Sequence, residues 1–502
     1  MTVPTGEERH GVTRRTVIKA GLAGATATAL PLGGLLRVIA EGSGGNSPPV
    51  TSFSVPLPRP PKAIPVGTTP EGLPLYVFHE REALVPILPG LPPTKIWGYE
   101  GTTPGPTISM RAGQKIVVRQ VNELTTGTTT HLHGGDTDAV YDGYPTQLVP
   151  PGSSFDHVYT GEGETATLWY HDHAIHRTGE NVYAGLAGMF LVSDANERSL
   201  PLPKGRFDVP LVIQDRLFDK DAQLVYPFED PRTHQVLQQG VFGDTFLVNG
   251  APRPFMRVAR RKYRFRVLNG CNARVLTLAL STGEAMTVIA SEHQLFEHPV
   301  DTTTLHMATS ERYQVVIDFS KYPVGSKIVL RNEFEGDPGD PFSEALTREI
   351  MRFDVVADVK DPSSVPADLA PQEPLGVPTV HRTWEFHRSG GQWRINDEVF
   401  EESRVDAVLK NGTTELWTLV NGGGGWIHPI HPHLVSFKVL DRNGSPPEPW
   451  EVGAKDTVSL GQGDVVRIQF DVDENKEGKY VFHCHNVEHE DDDMMTNIQF
   501  VL

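Results

Sequence analysis

The sequence predicts an all-β protein of three β-sandwich domains, on three observations. Its 48 glycines and 41 prolines are scattered as turn punctuation between short runs of Val, Thr and Phe, which is how a chain of many short strands reads. A unit of strand, turn, strand and asparagine recurs at Pro104–Asn122, Ala251–Asn269 and Val405–Asn421, its asparagines about 150 residues apart. The 502 residues also suffice for about three domains with substantial cores.

In each copy, alternating apolar and polar residues flank a turn, which predicts a half-buried antiparallel strand pair. The stretch Asp194–Gly205 is polar with two prolines, and the stretch up to Val377 is rich in proline and acids. Domains are therefore placed at 50–195, 205–356 and 378–502, with a linker at 357–377.

The amino terminus reads as an address. Arg14 and Arg15 precede a weakly apolar, Gly- and Ala-rich stretch from Ala20 to Leu36, and Val38-Ile39-Ala40 gives a small-residue exit. This matches a twin-arginine export signal over residues 1–40, cleaved after Ala40, followed by a flexible leader over 41–49. Its glycines and short length argue against a stable membrane span. Export by this route predicts an extracellular, cell-envelope or periplasmic location for a protein that folds, with any cofactor, before it crosses.

A formal net charge of −18 repels phosphate backbones, which excludes nucleic acid as a partner and favours a small molecule. Two cysteines, Cys271 and Cys484, cannot build a disulfide framework, and nothing in their spacing calls for a bridge. Cys271 reads as a small buried hydrophobe.

Half of the 20 histidines fall in four clusters: His131/His133, His171/His173, His428/His431/His433 and His483/His485/His489. Strand side chains alternate between faces, so a His-x-His pair points both imidazoles the same way. The pairs 131/133, 171/173, 431/433 and 483/485 thus offer eight imidazoles to one pocket if their strands converge. Imidazole suits copper, zinc, iron and nickel, so the pairs alone do not name the metal.

Cys484 narrows the choice, because it must project from the face opposite His483 and His485. A thiolate there, with His428, His489 and a sulfur donor at Met494, gives the two-histidine, one-cysteine, weak-methionine set of an electron-transfer copper site. One strand then joins two metal sites. Single electrons would be collected at the first and a multi-electron acceptor such as dioxygen reduced at the second.

From about Tyr76 to the carboxyl end the chain resembles the multicopper oxidase family, closest to its bacterial spore-coat laccase and bilirubin oxidase branch. The resemblance rests on the string His483-Cys484-His485-x₃-His489-x₄-Met494 and on the three other histidine motifs in order. It implies cupredoxin-like Greek-key sandwiches and four copper ions. Type 1 copper would be held by His428, Cys484, His489 and Met494, and type 2 by His131 and His431. The type 3 pair would take His133, His171, His173, His433, His483 and His485. The middle domain supplies none of these, so domains one and three should meet at the cluster while domain two serves as spacer and support. Asp142 and Glu490 match acids that supply protons in this family, although a turn beside Gly143 and a solvated acidic run are their plainer readings.

Two departures stand out. Pro432 replaces a leucine between His431 and His433, where it could tilt a ligand, and the loop from Asn122 to His131 is shorter. His176 and Asp172 read as neighbours that hydrogen-bond to ligands or lie at the surface. The run Asp491-Asp492-Asp493 could collect a metal substrate, although a solvated loop is its plainer reading. His10, His79, His157, His234, His293, His298, His306, His381 and His387 read as ordinary.

The expected activity is laccase-like: phenols, aromatic amines or bilirubin-like pigments give up electrons, and dioxygen becomes water. A methionine near the type 1 site should keep its potential moderate, so easily oxidised donors are expected. The competing reading is oxidation of manganous, ferrous or cuprous ions, and only nine methionines with no methionine-rich tract weigh against the cuprous version. A copper-storage or structural protein leaves the Cys484 strand unexplained, and a nitrite-reducing copper protein would need fewer histidines.

Overall fold

The strands that end the three repeats, Lys115–Asn122, Lys262–Asn269 and Thr414–Asn421, occupy the same place in three similar sheets. Each pairs in parallel with a strand from earlier in the chain, namely Pro74–Val85, Asp208–Arg216 and Val380–Ser389. The computed structural model describes residues 47–502 apart from 162, 164, 228–238, 336–339, 343 and 473–474. The export signal and the leader through residue 46 lie outside the described residues.

The first strand of each repeat does not pair with the second, which corrects the expected antiparallel pair. Gly105–Arg111, Phe255–Arg260 and Ala407–Lys410 lie in the opposite sheet, in parallel with Ala187–Ser193, Glu349–Asp358 and Met495–Val501. The turn between them carries the chain across the sandwich. Alternation fits either arrangement, because a strand in either sheet turns one face to the core.

Three Greek-key β-sandwiches result. Their sheets have five and four strands in the first, seven and five in the second, and five and five in the third, among the described residues. Each has its own core, represented by Phe78, Ile116 and Phe190, by Phe265, Ile328 and Phe353, and by Trp417, Phe470 and Phe482. Burying side chains of this size contributes about 1.5–3 kcal/mol each.

The repeat asparagines explain why the pattern recurs. Asn122 accepts from the Leu124 N–H at 2.9 Å and donates to the Thr126 and Val149 carbonyls at 2.7 and 2.8 Å. Asn269 accepts from the Cys271 N–H at 3.2 Å and donates to Arg274 and Met307 at 3.0 Å. Asn421 accepts from the Gly423 N–H at 3.2 Å and donates to Trp426 and Gly461 at 2.8 and 3.0 Å. Each pins the loop that follows its strand. In the outer domains that loop leads to Thr130–His133 and His428–Pro432; in the middle domain it leads to Leu276–Leu280, which has no histidine.

Ser47, in the segment read as a flexible leader, is buried. Its N–H and hydroxyl donate to the Asp244 carboxylate of the second sandwich at 2.7 and 2.5 Å. No helix among the described residues is long and apolar enough to cross a membrane.

Candidate metal centre

Strand pairing puts the histidines opposite one another before any tertiary contact is made. His131 faces His171 in the first domain, and His431 faces His483 in the third. The two sheets then meet and the rings interleave. His131 stacks on His433 with centroids 3.8 Å apart, and His133 on His431 at 3.6 Å. The Nε2 atom of His483 lies 3.4 Å from that of His173 and 3.2 Å from that of His433. His485 closes the pocket beside His133 and His171, with centroids 4.9 and 5.2 Å away. All eight imidazoles are at most 1 % exposed.

Six of the eight rings have one nitrogen anchored by a hydrogen bond from outside the pocket. The Nδ1 atoms of His131, His171, His431 and His483 reach the backbone carbonyls of Asp142, Asp172, Asp456 and Cys484 at 2.6, 2.8, 2.7 and 3.1 Å. His433 Nδ1 meets Asp142 Oδ2 at 2.7 Å, and His133 Nε2 meets Asp456 Oδ1 at 3.0 Å. Such anchors fix the tautomer and leave the other nitrogen with a free lone pair. The Nε2 atoms of His131, His171 and His431, the Nδ1 of His133 and both nitrogens of His485 are buried without a hydrogen-bond partner.

Unpartnered buried nitrogens are costly unless something else occupies them. Burial pushes His133, His171, His431, His433 and His485 well below the usual histidine range, and His173 and His428 down to about 3, so these rings are neutral and able to bind a cation. Donor atoms of His131/His133/His171, His131/His431/His433 and His173/His433/His483 lie within 4.8 Å of one another, as metal-binding triads require.

Glu490 lies behind two of the rings, its carboxylate oxygens 3.2 Å from His173 Nδ1 and His483 Nδ1, and it accepts from the Thr178 hydroxyl at 2.7 Å. Burial alone would raise its pKa, but His173 and His483 outweigh that and hold it at about 2. It is buried in the short helix Val487–Asp491 rather than in a solvated run.

The second site lies on the other side of the same strand. Cys484 Sγ is 3.4 Å from His428 Nδ1 and 3.6 Å from His489 Nδ1, and the two nitrogens are 3.3 Å apart. Burial raises the thiol, so a thiolate here needs a cation beside it. Met494 is fully buried; its N–H donates to the His489 carbonyl at 2.9 Å, and its own carbonyl accepts from Cys484 at 3.1 Å. Trp393 stacks on His489 at 3.9 Å and holds that ring against the core.

The ten histidines and Cys484 singled out as ligands thus gather in two adjoining buried sites, with Met494 buried beside the second through its backbone bonds to His489 and Cys484. Pro432 tilts neither neighbour away, since it ends the strand opposite Phe482 while His431 and His433 both enter the pocket. His176 is exposed and bonds the Asp491 carbonyl at 3.0 Å. Asp491 is not solvated: its carboxylate accepts from the Thr178 and Gly179 N–H groups at 2.9 and 2.8 Å. Both cysteines are free thiols. Sequence reasoning missed Asp456 and Arg312, and it read His293 as ordinary although its Nε2 lies 2.8 Å from Asp456 Oδ2. No local motif marks this group, whose members meet only through the fold.

Three family models, each described as multicopper oxidase, match residues 86–197, 208–353 and 372–500. The chain is similar to bilirubin oxidase of Albifimbria verrucaria, 39% identical over 89% of this chain and 81% of that protein. It is also similar to laccase of Bacillus subtilis (strain 168), 35% identical over 88% and 96%. Among solved structures, a laccase from Pediococcus acidilactici superposes with a TM-score of 0.82 at 30% identity, covering 91% of this chain and 95% of that one. The multicopper oxidase McoA of Aquifex aeolicus gives 0.80 at 29% identity, over 90% and 100%. These neighbours share the three cupredoxin-like domains.

Proposed function

The chain belongs to the multicopper oxidase family, and from that premise we propose how its two sites divide the work of a laccase-like oxidase. His428, Cys484, His489 and Met494 hold the type 1 copper, and His131 and His431 hold the type 2 ion. His133, His171, His173, His433, His483 and His485 hold the type 3 pair. Copper held by these residues would supply single-electron acceptance at the first site and four-electron reduction of dioxygen to water at the second.

The observation that carries this reading is the placement of Cys484. Its sulfur lies between two imidazole nitrogens on one face of the strand, while the residues on either side of it enter the eight-imidazole pocket on the other. The Cys484 side chain and the peptide bonds to His483 and His485 therefore form a short covalent path between the sites. Each phenol gives up one electron and one proton, so four are consumed per dioxygen. Reduction to water also takes four protons at the cluster. Asp142 and Glu490, already hydrogen-bonded or in contact with ligand rings, hold and pass them.

Phenols, aromatic amines and bilirubin-like pigments are the donors, in keeping with the laccase and bilirubin oxidase named among the relatives. Metal-ion oxidation is the second reading, and the absence of a methionine-rich tract among the nine methionines weighs against its cuprous version. Dioxygen uptake by copper-loaded protein, with a bulky phenol compared against manganous, ferrous and cuprous ions, tests it. Faster turnover with the phenol is expected, and uptake with metal ions alone would overturn it. Export follows the twin-arginine route, supported by Arg14 and Arg15 ahead of the apolar stretch. Replacing both by lysine should leave the protein in the cytoplasm.

A further inference from the structure

We propose that Arg312 and Asp456 form a positioning clamp through which the middle domain, which supplies no copper ligand, fixes two of the eight imidazoles. This rests on the reading of those imidazoles as copper ligands. Asp456 is fully buried where all three domains meet. Its carboxylate takes His133 of the first domain at 3.0 Å, and its backbone carbonyl takes His431 of its own, third domain at 2.7 Å. From the second domain, Arg312 Nη1 donates to Asp456 Oδ1 at 2.7 Å and Nη2 to Oδ2, a two-pronged grip that lysine cannot reproduce. Arg312 is itself held by the carbonyls of Thr167 and Ser310 at 2.8 and 3.0 Å.

Asp142 makes the matching pair of contacts on the other side of the pocket. Its carbonyl takes His131 and its carboxylate takes His433, so each aspartate orients one imidazole of the type 2 pair and one of the type 3 set. The two differ in surroundings. Asp456 has Arg312 and His293 as partners, whereas the Asp142 carboxylate has Thr137 and the ligand rings His433 and His131. Asp142 suits proton handling, and Asp456 suits holding a shape.

The clamp acts on His133 through its tautomer. A proton on Nε2, donated to Asp456, leaves the Nδ1 lone pair facing the pocket, where that atom has no hydrogen-bond partner. The residue after His133 is Gly134, and a methyl group there would collide with Asp456 Oδ2, Arg312 Nη2 and Leu168. The glycine keeps open the space that the ion pair fills.

The test uses three variants of the full chain, Arg312→Lys, Asp456→Asn and Gly134→Ala, the last of which keeps both charges and displaces them. Copper per chain, the electron paramagnetic resonance of the type 2 ion, the absorption of the coupled type 3 pair and the copper–thiolate band are measured on each. The type 2 and type 3 signals should change or disappear and the copper count should fall. The copper–thiolate band per chain and its rate of reduction by a phenol should match the parent, while dioxygen turnover drops about ten- to a hundredfold. Retention of the parent's copper count and cluster signals in all three variants would overturn the clamp. Loss of the copper–thiolate band along with the cluster in all three would also overturn it, since the pair would then be a general folding element. The parent's own copper count checks the ligand reading separately.

Discussion

His131 of the first sandwich lies flat on His433 of the third, with ring centroids 3.8 Å apart and planes 20° from parallel. His133 and His431 repeat the relation at 3.6 Å and 13°, so each outer domain contributes one ring to each stack. The pocket belongs to neither domain alone. Removing one ring should therefore unseat ions that the opposite domain also holds. His433→Ala should lose at least one copper per chain and lower dioxygen turnover by about a hundredfold or more, while the copper–thiolate band persists. Metal analysis with absorption spectroscopy checks this; full copper content in the variant would contradict it.

Glu490 touches two ligand rings and a threonine hydroxyl but lies on the far side of the strand from the Cys484 sulfur. Glu490→Gln should slow reoxidation by dioxygen about 10²- to 10⁴-fold and leave reduction by a phenol unchanged. Stopped-flow traces of the copper–thiolate band in the two half-reactions separate the outcomes, and equal slowing of both would refute the assignment.

Asn269 and Asn421 do the same structural work in domains with different duties. Either alanine variant strands buried carbonyls and should cost about 1–3 kcal/mol. Only Asn421→Ala should also weaken the copper–thiolate band, because its loop delivers His428. Thermal unfolding paired with that band tests the contrast, which fails if Asn269→Ala weakens the band equally.

Glu80 gives a pH dependence away from the metal ligands. Burial pushes its carboxyl up to about 7, although Thr128, Gln120 and Thr130 donate to it. A folded-state pKa above the unfolded 4.5 means that the folded chain holds the proton more tightly, so stability is lost as pH rises from the unfolded value through about 7. The loss amounts to about 3 kcal/mol at most. Glu80→Gln should show a flatter fall in unfolding temperature between about pH 5 and 8, and an unchanged slope would remove Glu80 as the cause.

The features legible in the sequence were those set by local chain geometry. Alternation along a strand put His483 and His485 on one face and Cys484 on the other, and the structure keeps that arrangement. The asparagine repeats marked three equivalent domains because each asparagine bonds within its own loop and sheet. Pairing was less legible: Gly105–Arg111 and Lys115–Asn122 alternate as a hairpin would, yet they lie in opposite sheets. The ring anchors were missed where they depend on contacts between domains. Asp456 reaches His133 across 323 positions and Arg312 across 144, and nothing near Asp456 in the chain announces either. Asp491 looked solvated because two further acids follow it, and only the fold brings the Thr178 and Gly179 N–H groups to its carboxylate.

The sharpest test replaces the sulfur at which electrons are proposed to enter. Cys484→Ser removes the sulfur and leaves the strand and both flanking imidazoles in place. Copper-loaded variant should lose the copper–thiolate band and phenol-driven dioxygen uptake together while keeping the copper held by the eight imidazoles. Phenol oxidation at the parent rate by the serine variant would contradict electron entry through Cys484.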